Sequence, residues 1–87
     1  MARFPCPCCG YLTFGEQPPG TFGICPVCYW EDDNVQFDNQ EISGGANKES
    51  LNQARRNFLE FGASSKERRA LVRSPSEKEV ALKRQQE

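Results

Sequence analysis

Five cysteines carry the chemistry of this 87-residue chain, and four of them form two pairs, Cys6 with Cys9 and Cys25 with Cys28. Each pair sets two thiols three positions apart, so one tight loop turns both sulfurs onto a common point. The full pattern, C-x2-C-x15-C-x2-C, has the spacing of a four-thiolate zinc site. In such a C-P-x-C-G loop the first thiolate accepts backbone N–H bonds, proline stiffens the turn, and the closing glycine permits positive φ. Cys6-Pro7-Cys8-Cys9-Gly10 meets every position. Cys25-Pro26-Val27-Cys28 meets all but the last, where Tyr29 replaces glycine, and this weakens the case for the second turn. The expected metal ligands are therefore Cys6, Cys9, Cys25 and Cys28. Cys8, at the variable position, is spare; a rival assignment puts it in place of Cys6 or Cys9, but a C-x-C or adjacent pair strains the loop.

A disulfide framework is the other use for these thiols. It would leave one of five unpaired, and it needs an oxidising compartment. The N-terminal MARFPCPCCGYL has no apolar stretch of signal-peptide length, and no membrane-spanning run follows it. A cytoplasmic, metal-binding protein is the expectation. A chain this small has little core of its own, and a metal is one of the usual staples.

The elements that must position the thiols are short. Residues 11–14 and 21–24 read as two strands joined by a turn containing Pro18-Pro19-Gly20, giving knuckle, hairpin, knuckle: the plan of a zinc ribbon. Tyr29-Trp30 can add a third strand, with the indole covering the metal site. Residues 35–45 read as irregular, held by Phe37 and Ile42. Leu51, Ala54, Phe58 and Phe61 then share one face of a main helix near residues 47–62, with Asn47 as N-cap and Gly62 as the stop. Glu49, Arg55, Arg56 and Glu60 fall outside it. Ser64-Ser65-Lys66-Glu67 opens a shorter helix through Leu71-Val72, and Ser74-Pro75-Ser76-Glu77 repeats the signal with proline at the first helical position. The expected fold is a small α+β metal-stapled domain over residues 1–75, with residues 76–87 a charged tail that is a frayed helix or disordered in isolation.

The residues Cys6-Pro7-Cys8-Cys9-Gly10-Tyr11, Cys25-Pro26-Val27-Cys28-Tyr29-Trp30-Glu31-Asp32-Asp33 and Gly44-Gly45-Ala46-Asn47, the last leading into Ser50-Leu51-Asn52-Gln53-Ala54-Arg55, resemble the bacterial cysteine-rich CPCC proteins. Asn57-Phe58, Phe61-Gly62-Ala63 and Val72-Arg73 extend the likeness, which covers roughly residues 4–75. The resemblance implies a zinc-ribbon-like fold and a bound metal, but no activity. Solvated acidic turn and helix-entry loop are the ordinary readings of Glu31-Asp32-Asp33 and Gly44-Gly45-Ala46-Asn47. Alternatively, Asp32 or Asp33 pairs with Arg55 or Arg56.

Four functions compete. A closed set of four cysteines, with no histidine and no nucleophile beside a base, favours a structural Zn2+ in a protein-interaction or adaptor module over an enzyme. The C-P-x-C knuckles also resemble those of rubredoxin, whose iron tetrathiolate carries one electron, although the knuckles here are closer in sequence. Cys8, beside a metal and backbone N–H groups, is a candidate for thiol chemistry. Nucleic-acid binding finds little support. Residues 1–47 carry Arg3 against six acids, whereas residues 48–87 carry ten Lys/Arg against six Glu. The metal half is thus acidic, and the basic half interleaves its charges without an aromatic strand face.

Overall fold

The computed structural model describes residues 3–80. Two strands, β1 (Phe4–Pro5) and β2 (Leu12–Phe14), pair antiparallel across the first knuckle, Phe4 opposite Phe14 and Pro5 opposite Leu12. The register shifts between Phe4 and Pro5, where proline has no N–H to give the ladder. A second, smaller closure straddles the second knuckle: Ile24 and Glu31 form an isolated antiparallel bridge.

This pairing differs from the expected hairpin between residues 11–14 and 21–24. Phe22 takes φ 59°, which breaks the extended run that residues 21–24 would need. The backbone around it bonds elsewhere, Thr21 N–H donating to Asp32 Oδ2 at 2.8 Å and Gly23 C=O accepting from Asp32 N–H at 2.9 Å. Each knuckle is therefore closed by its own flanks. Nor do Tyr29 and Trp30 add a third strand, since only Glu31 pairs.

Helix α1 (Asn34–Asp38) occupies the start of the segment read as irregular. Asp33 caps it, its side chain accepting from the N–H groups of Val35 and Gln36. Asp33-Asn34-Val35-Gln36 has the spacing of a capping box. Helix α2 (Leu51–Phe61) begins later than expected, with Ser50 rather than Asn47 as its N-cap, accepting from Gln53 N–H at 3.1 Å. Gly62, in the left-handed region, ends it as expected. Lys66–Leu71 form a 3-10 helix in place of the shorter α-helix, and Ser65 makes no side-chain cap bond. Residues 77–80 are helical. Their opening residue is Ser76 rather than Ser74, with its N–H donating to Glu79 Oε1 at 2.8 Å. Glu79 is buried against Arg73, with Arg3 at 3.9 Å. Of the tail expected from residue 76, residues 81–87 lie outside the described residues.

The core is assembled on the sulfurs. Cys6, Cys8, Cys9, Cys25 and Cys28 are buried in one cluster with Phe14, Val27, Trp30, Leu51 and Ala54, while Phe4, Tyr11, Phe37 and Phe58 pack against it. Helix α2 lays its predicted stripe on this cluster: Leu51 and Ala54 are buried, and Phe58 meets Tyr11 edge to face at 6.1 Å. Phe61 is half-buried beneath the Arg69 guanidinium. Trp30, 1% exposed, joins the same cluster as the cysteines, in keeping with a ring that keeps water from the thiols.

Candidate metal centre

The two knuckles are conformational copies. In the first, Gly10 N–H donates to Cys6 C=O and Cys6 N–H to Tyr11 C=O, both at 2.9 Å. In the second, Tyr29 N–H donates to Cys25 C=O at 2.7 Å and Cys25 N–H to Trp30 C=O at 2.9 Å. Gly10 sits at φ 82° and Tyr29 at φ 68°, so tyrosine takes up the glycine conformation and the second turn forms despite it. A left-handed non-glycine residue costs roughly 1–2 kcal/mol, and surrounding contacts must hold it there. Arg68 supplies two of them. Its guanidinium lies 5.9 Å from the Tyr29 ring centroid and donates from Nη1 to Tyr29 C=O at 2.9 Å.

Facing each other, the loops bring together the Sγ atoms of Cys6, Cys9, Cys25 and Cys28, all within 4.8 Å of one another and all on buried residues. The shortest pairs run between knuckles, Cys6 to Cys28 at 3.6 Å and Cys9 to Cys25 at 3.7 Å. A tetrahedral ion with metal–sulfur bonds of about 2.3 Å places its sulfurs about 3.8 Å apart, so the pocket fits such an ion. Cys8 is buried nearby but stands outside this four-sulfur group.

Four thiolates in a dry core repel one another, and only part of that repulsion is relieved by the surrounding protein. Thr13 Oγ1 donates to Cys25 Sγ at 3.1 Å, and Cys8 N–H reaches Cys6 Sγ at 3.4 Å. Among the bare thiols, hydrogen bonds from Cys28 first, then Cys6 and Cys9, pull Cys25 well below the usual thiol range. Cys28 and Cys9 are pushed up, each chiefly through its hydrogen bond to Cys25. Burial together with the neighbouring thiols thus favours the charge on Cys25 over that on Cys9 or Cys28.

Elements far along the chain hold the loops. Arg55 Nε donates to Pro7 C=O at 2.9 Å, while its Nη1 donates to Gln40 Oε1 at 2.8 Å. The equivalent carbonyl in the second loop, that of Pro26, accepts from Arg73 N–H at 3.1 Å, and Cys28 C=O accepts from Ser64 N–H at 2.8 Å. Arg55 thus faces the first knuckle, not the solvent side expected from sequence. Its role was hidden because the contact spans 48 residues.

The acidic turn and the glycine-rich loop turn out to be partners. Asp33 Oδ2 accepts from Ala46 N–H at 2.9 Å, which is the first cause of a carboxyl held below its usual range. Asn47 Oδ1 accepts from Glu31 N–H at 2.8 Å while its Nδ2 donates to Glu31 C=O at 2.7 Å. Buried Gln36 completes the junction: Nε2 reaches the carbonyls of Ile42, Asn47 and Glu49, and Oε1 accepts from Asn47. A Cβ on Gly45 would lie 2.8 Å from Asp33 Oδ2 and 2.9 Å from Gln36 Cδ, so glycine is needed there for close approach. Asp33 bonds Ala46, and Asp32 accepts from Thr21 N–H, in place of the ion pairs considered with Arg55 or Arg56.

A family model described as "Cysteine-rich CPCC" matches residues 4–79, which takes in both knuckles, α1, α2 and the 3-10 helix. A search of the curated proteins finds no match.

Proposed function

The chain belongs to the cysteine-rich CPCC family, and on that premise we propose that Cys6, Cys9, Cys25 and Cys28 hold one Zn2+ in a closed structural site. The site staples a zinc-ribbon-like scaffold, and the scaffold serves as a protein-binding module in the cytoplasm rather than as an enzyme. The observation that carries this reading is the buried cluster of four sulfurs, all within 4.8 Å of one another. Four cysteines complete a tetrahedral shell, leaving no position for a substrate or an activated water. When bound, the ion supplies charge neutralisation and a cross-link between the knuckles. Thr13 and the Cys8 N–H then orient and stabilise individual thiolates, and Trp30 with Leu51 keeps the cluster dry. The cytoplasmic assignment follows from thiolates that need a reducing compartment. Among the described residues no helix is long and apolar enough to cross a membrane.

Two measurements test the reading. Elemental analysis of protein purified from its native cell should give one zinc per chain. Affinity capture from the same cytosol should yield a partner retained by zinc-loaded protein and lost after chelation. A metal-free native protein, or a partner bound equally by the chelated chain, would overturn it.

One observation favours a second reading, iron in the same site as a rubredoxin-like electron carrier. Hydrogen bonds to the sulfurs, such as those from Thr13 and Cys8 N–H, are a means of tuning an iron–sulfur potential. Native protein prepared anaerobically that contains zinc rather than iron by elemental analysis, and shows no thiolate-to-iron absorption after oxidation, excludes it. Nucleic-acid binding is disfavoured by the lack of any Lys or Arg between Phe4 and Asn47.

A further inference from the structure

Among the described residues outside the metal centre, Phe22 takes a costly local conformation. At φ 59° it is a bulky residue in the left-handed region, a genuine outlier for such a side chain. The turn is held deliberately: fully buried Asp32 accepts from Thr21 N–H and donates its own N–H to Gly23 C=O, while Gly23 N–H donates to Thr21 Oγ1. Yet the strain brings no core packing, for Phe22 is 61% exposed and its neighbour Ile24 48%. Strained residues held by their surroundings concentrate where a protein meets a ligand.

Beside Phe22 runs an open groove of about 290 Å³, between residues 13–16 and the chain around Thr21, Gly23 and Ile24. Phe14, Glu16, Gly23 and Ile24 are among its lining residues. Gly23 packs directly on Phe14, whose ring carbon would lie 3.5 Å from a Cβ there. The bonds of the Ile24–Glu31 bridge run through Gly23 with Asp32 and Cys25 with Trp30, so the N–H and C=O of Ile24 are directed away from Glu31. Glu16 lines this groove, and Glu31 stands opposite Ile24 across the bridge. From Phe4 to Asn47 there is no Lys or Arg, against Glu16, Glu31, Asp32, Asp33, Asp38 and Glu41.

We propose that Phe22, Ile24 and this groove dock an extended basic segment of another protein, which places one apolar side chain in the groove and its flanking Lys or Arg beside Glu16 and Glu31. The inference rests on the protein-binding reading above and names the face and the partner chemistry. An aromatic anchor beside a pocket supplies affinity, and the acidic surround supplies orientation and rejects acidic partners.

The test is selection of a random peptide library on zinc-loaded protein, followed by titration of enriched peptides against wild type and Phe22→Gly. Glycine accepts positive φ, so this variant removes the ring while keeping the turn; zinc content and thermal midpoint verify that. The expected result is enrichment of peptides with Lys or Arg around an apolar residue, at least about tenfold weaker on Phe22→Gly, as for an anchor residue. Glu16→Lys should weaken them too, and Leu59→Ser, outside the groove, should not. Peptides without basic bias, or binding that survives Phe22→Gly, would place the interaction elsewhere and overturn the inference while leaving a protein-binding module intact. Self-association of the wild type, abolished by Phe22→Gly, would give this face to a second copy of the chain and likewise overturn it. No enrichment at all would also overturn it, the module reading then standing or falling on cytosolic capture.

Discussion

The two knuckles share their hydrogen-bond geometry but not their means of support. Gly10 enters the left-handed region without steric cost, and the first loop needs only the flanking strands and Arg55 on the Pro7 carbonyl. Tyr29 must be held in the same conformation, and the second loop is correspondingly tied down by Arg68, Ser64 and Arg73 from the C-terminal third of the chain. The second Cys-x-x-Cys is thus completed by sequence that lies 36 or more residues beyond it. One distant residue, Arg55, bonds the first loop's backbone, while three, Ser64, Arg68 and Arg73, bond that of the second.

Removing the metal should erase the distinction, since both loops depend on the four sulfurs. Zinc binding to such structural sites contributes about 10–16 kcal/mol near neutral pH. Chelation should therefore unfold the N-terminal half, read as a red shift of Trp30 emission and rapid proteolysis there. A chelated chain with native emission and resistance would contradict the staple.

Single cysteine changes come next. Cys9→Ser and Cys28→Ser remove corresponding sulfurs from the two loops and should each lose metal affinity and stability by several kcal/mol, to similar extents. Cys8→Val writes the residue of the second loop, Val27, into the first, adding about one methyl group to a packed position at a cost of about 1–3 kcal/mol. It should retain one metal per chain. Loss of metal from Cys8→Val would mean that the fifth sulfur is a ligand and that the loops are not equivalent.

The difference in support predicts a smaller, more selective effect. Arg68→Ala removes the bonds to Tyr29 C=O and Asn47 Oδ1, at about 1.5–3 kcal/mol for charged hydrogen bonds, with partial exposure favouring the low end. In a Tyr29→Gly background the residue no longer has to be held, and Arg68→Ala should cost less. A double-mutant cycle by denaturant unfolding reads the coupling. Additive changes would show that Tyr29 holds its conformation unaided. On the first loop the matching change is Gly10→Ala, expected to cost about 1–2 kcal/mol.

Acid supplies the mildest perturbation. Ala46 N–H, followed by those of Gln36 and Val35, keeps Asp33 below the ordinary carboxylate range, and Arg73 does the same for Glu79. A folded pKa below the unfolded one means that stability is fully present above the ordinary carboxylate value near about 4 and is lost as pH falls through the folded value. Thiolate protonation and metal release are common to variant and wild type, so the difference between their acid unfolding curves isolates the carboxylate. Asp33→Asn should flatten the acid limb below about pH 4. An unchanged limb would mean that Asp33 is not preferentially stabilised as a carboxylate.

What the sequence made legible was local. Thiol spacing, the stripe Leu51, Ala54, Phe58 and Phe61, and the stop at Gly62 are short-range patterns, and they brought the four sulfurs and the main helix into view. Strand propensity misled at residues 21–24, because Thr-Phe-Gly-Ile reads as extended while Asp32, eleven residues from Thr21, claims its N–H. Asn47 looked like a helix cap for the same reason: its side chain suits that role, and its actual partner is sixteen residues earlier. Helix α1 could have been found from Asp33-x-x-Gln36, but the polar run around it obscured the signal. Arg55 had no local signature at all.

The bond between Asn47 and Glu31 has a consequence for how the chain behaves in company. In the Ile24–Glu31 bridge the ladder bonds belong to the flanking residues, so the N–H and C=O of Glu31 point to the outer margin. Such a margin is where a foreign strand would add and where aggregation begins. The Asn47 amide, one donor and one acceptor on a single side chain, occupies both groups and does the work of a third strand. A chain this short closes a sheet edge with one residue, without lengthening its fold.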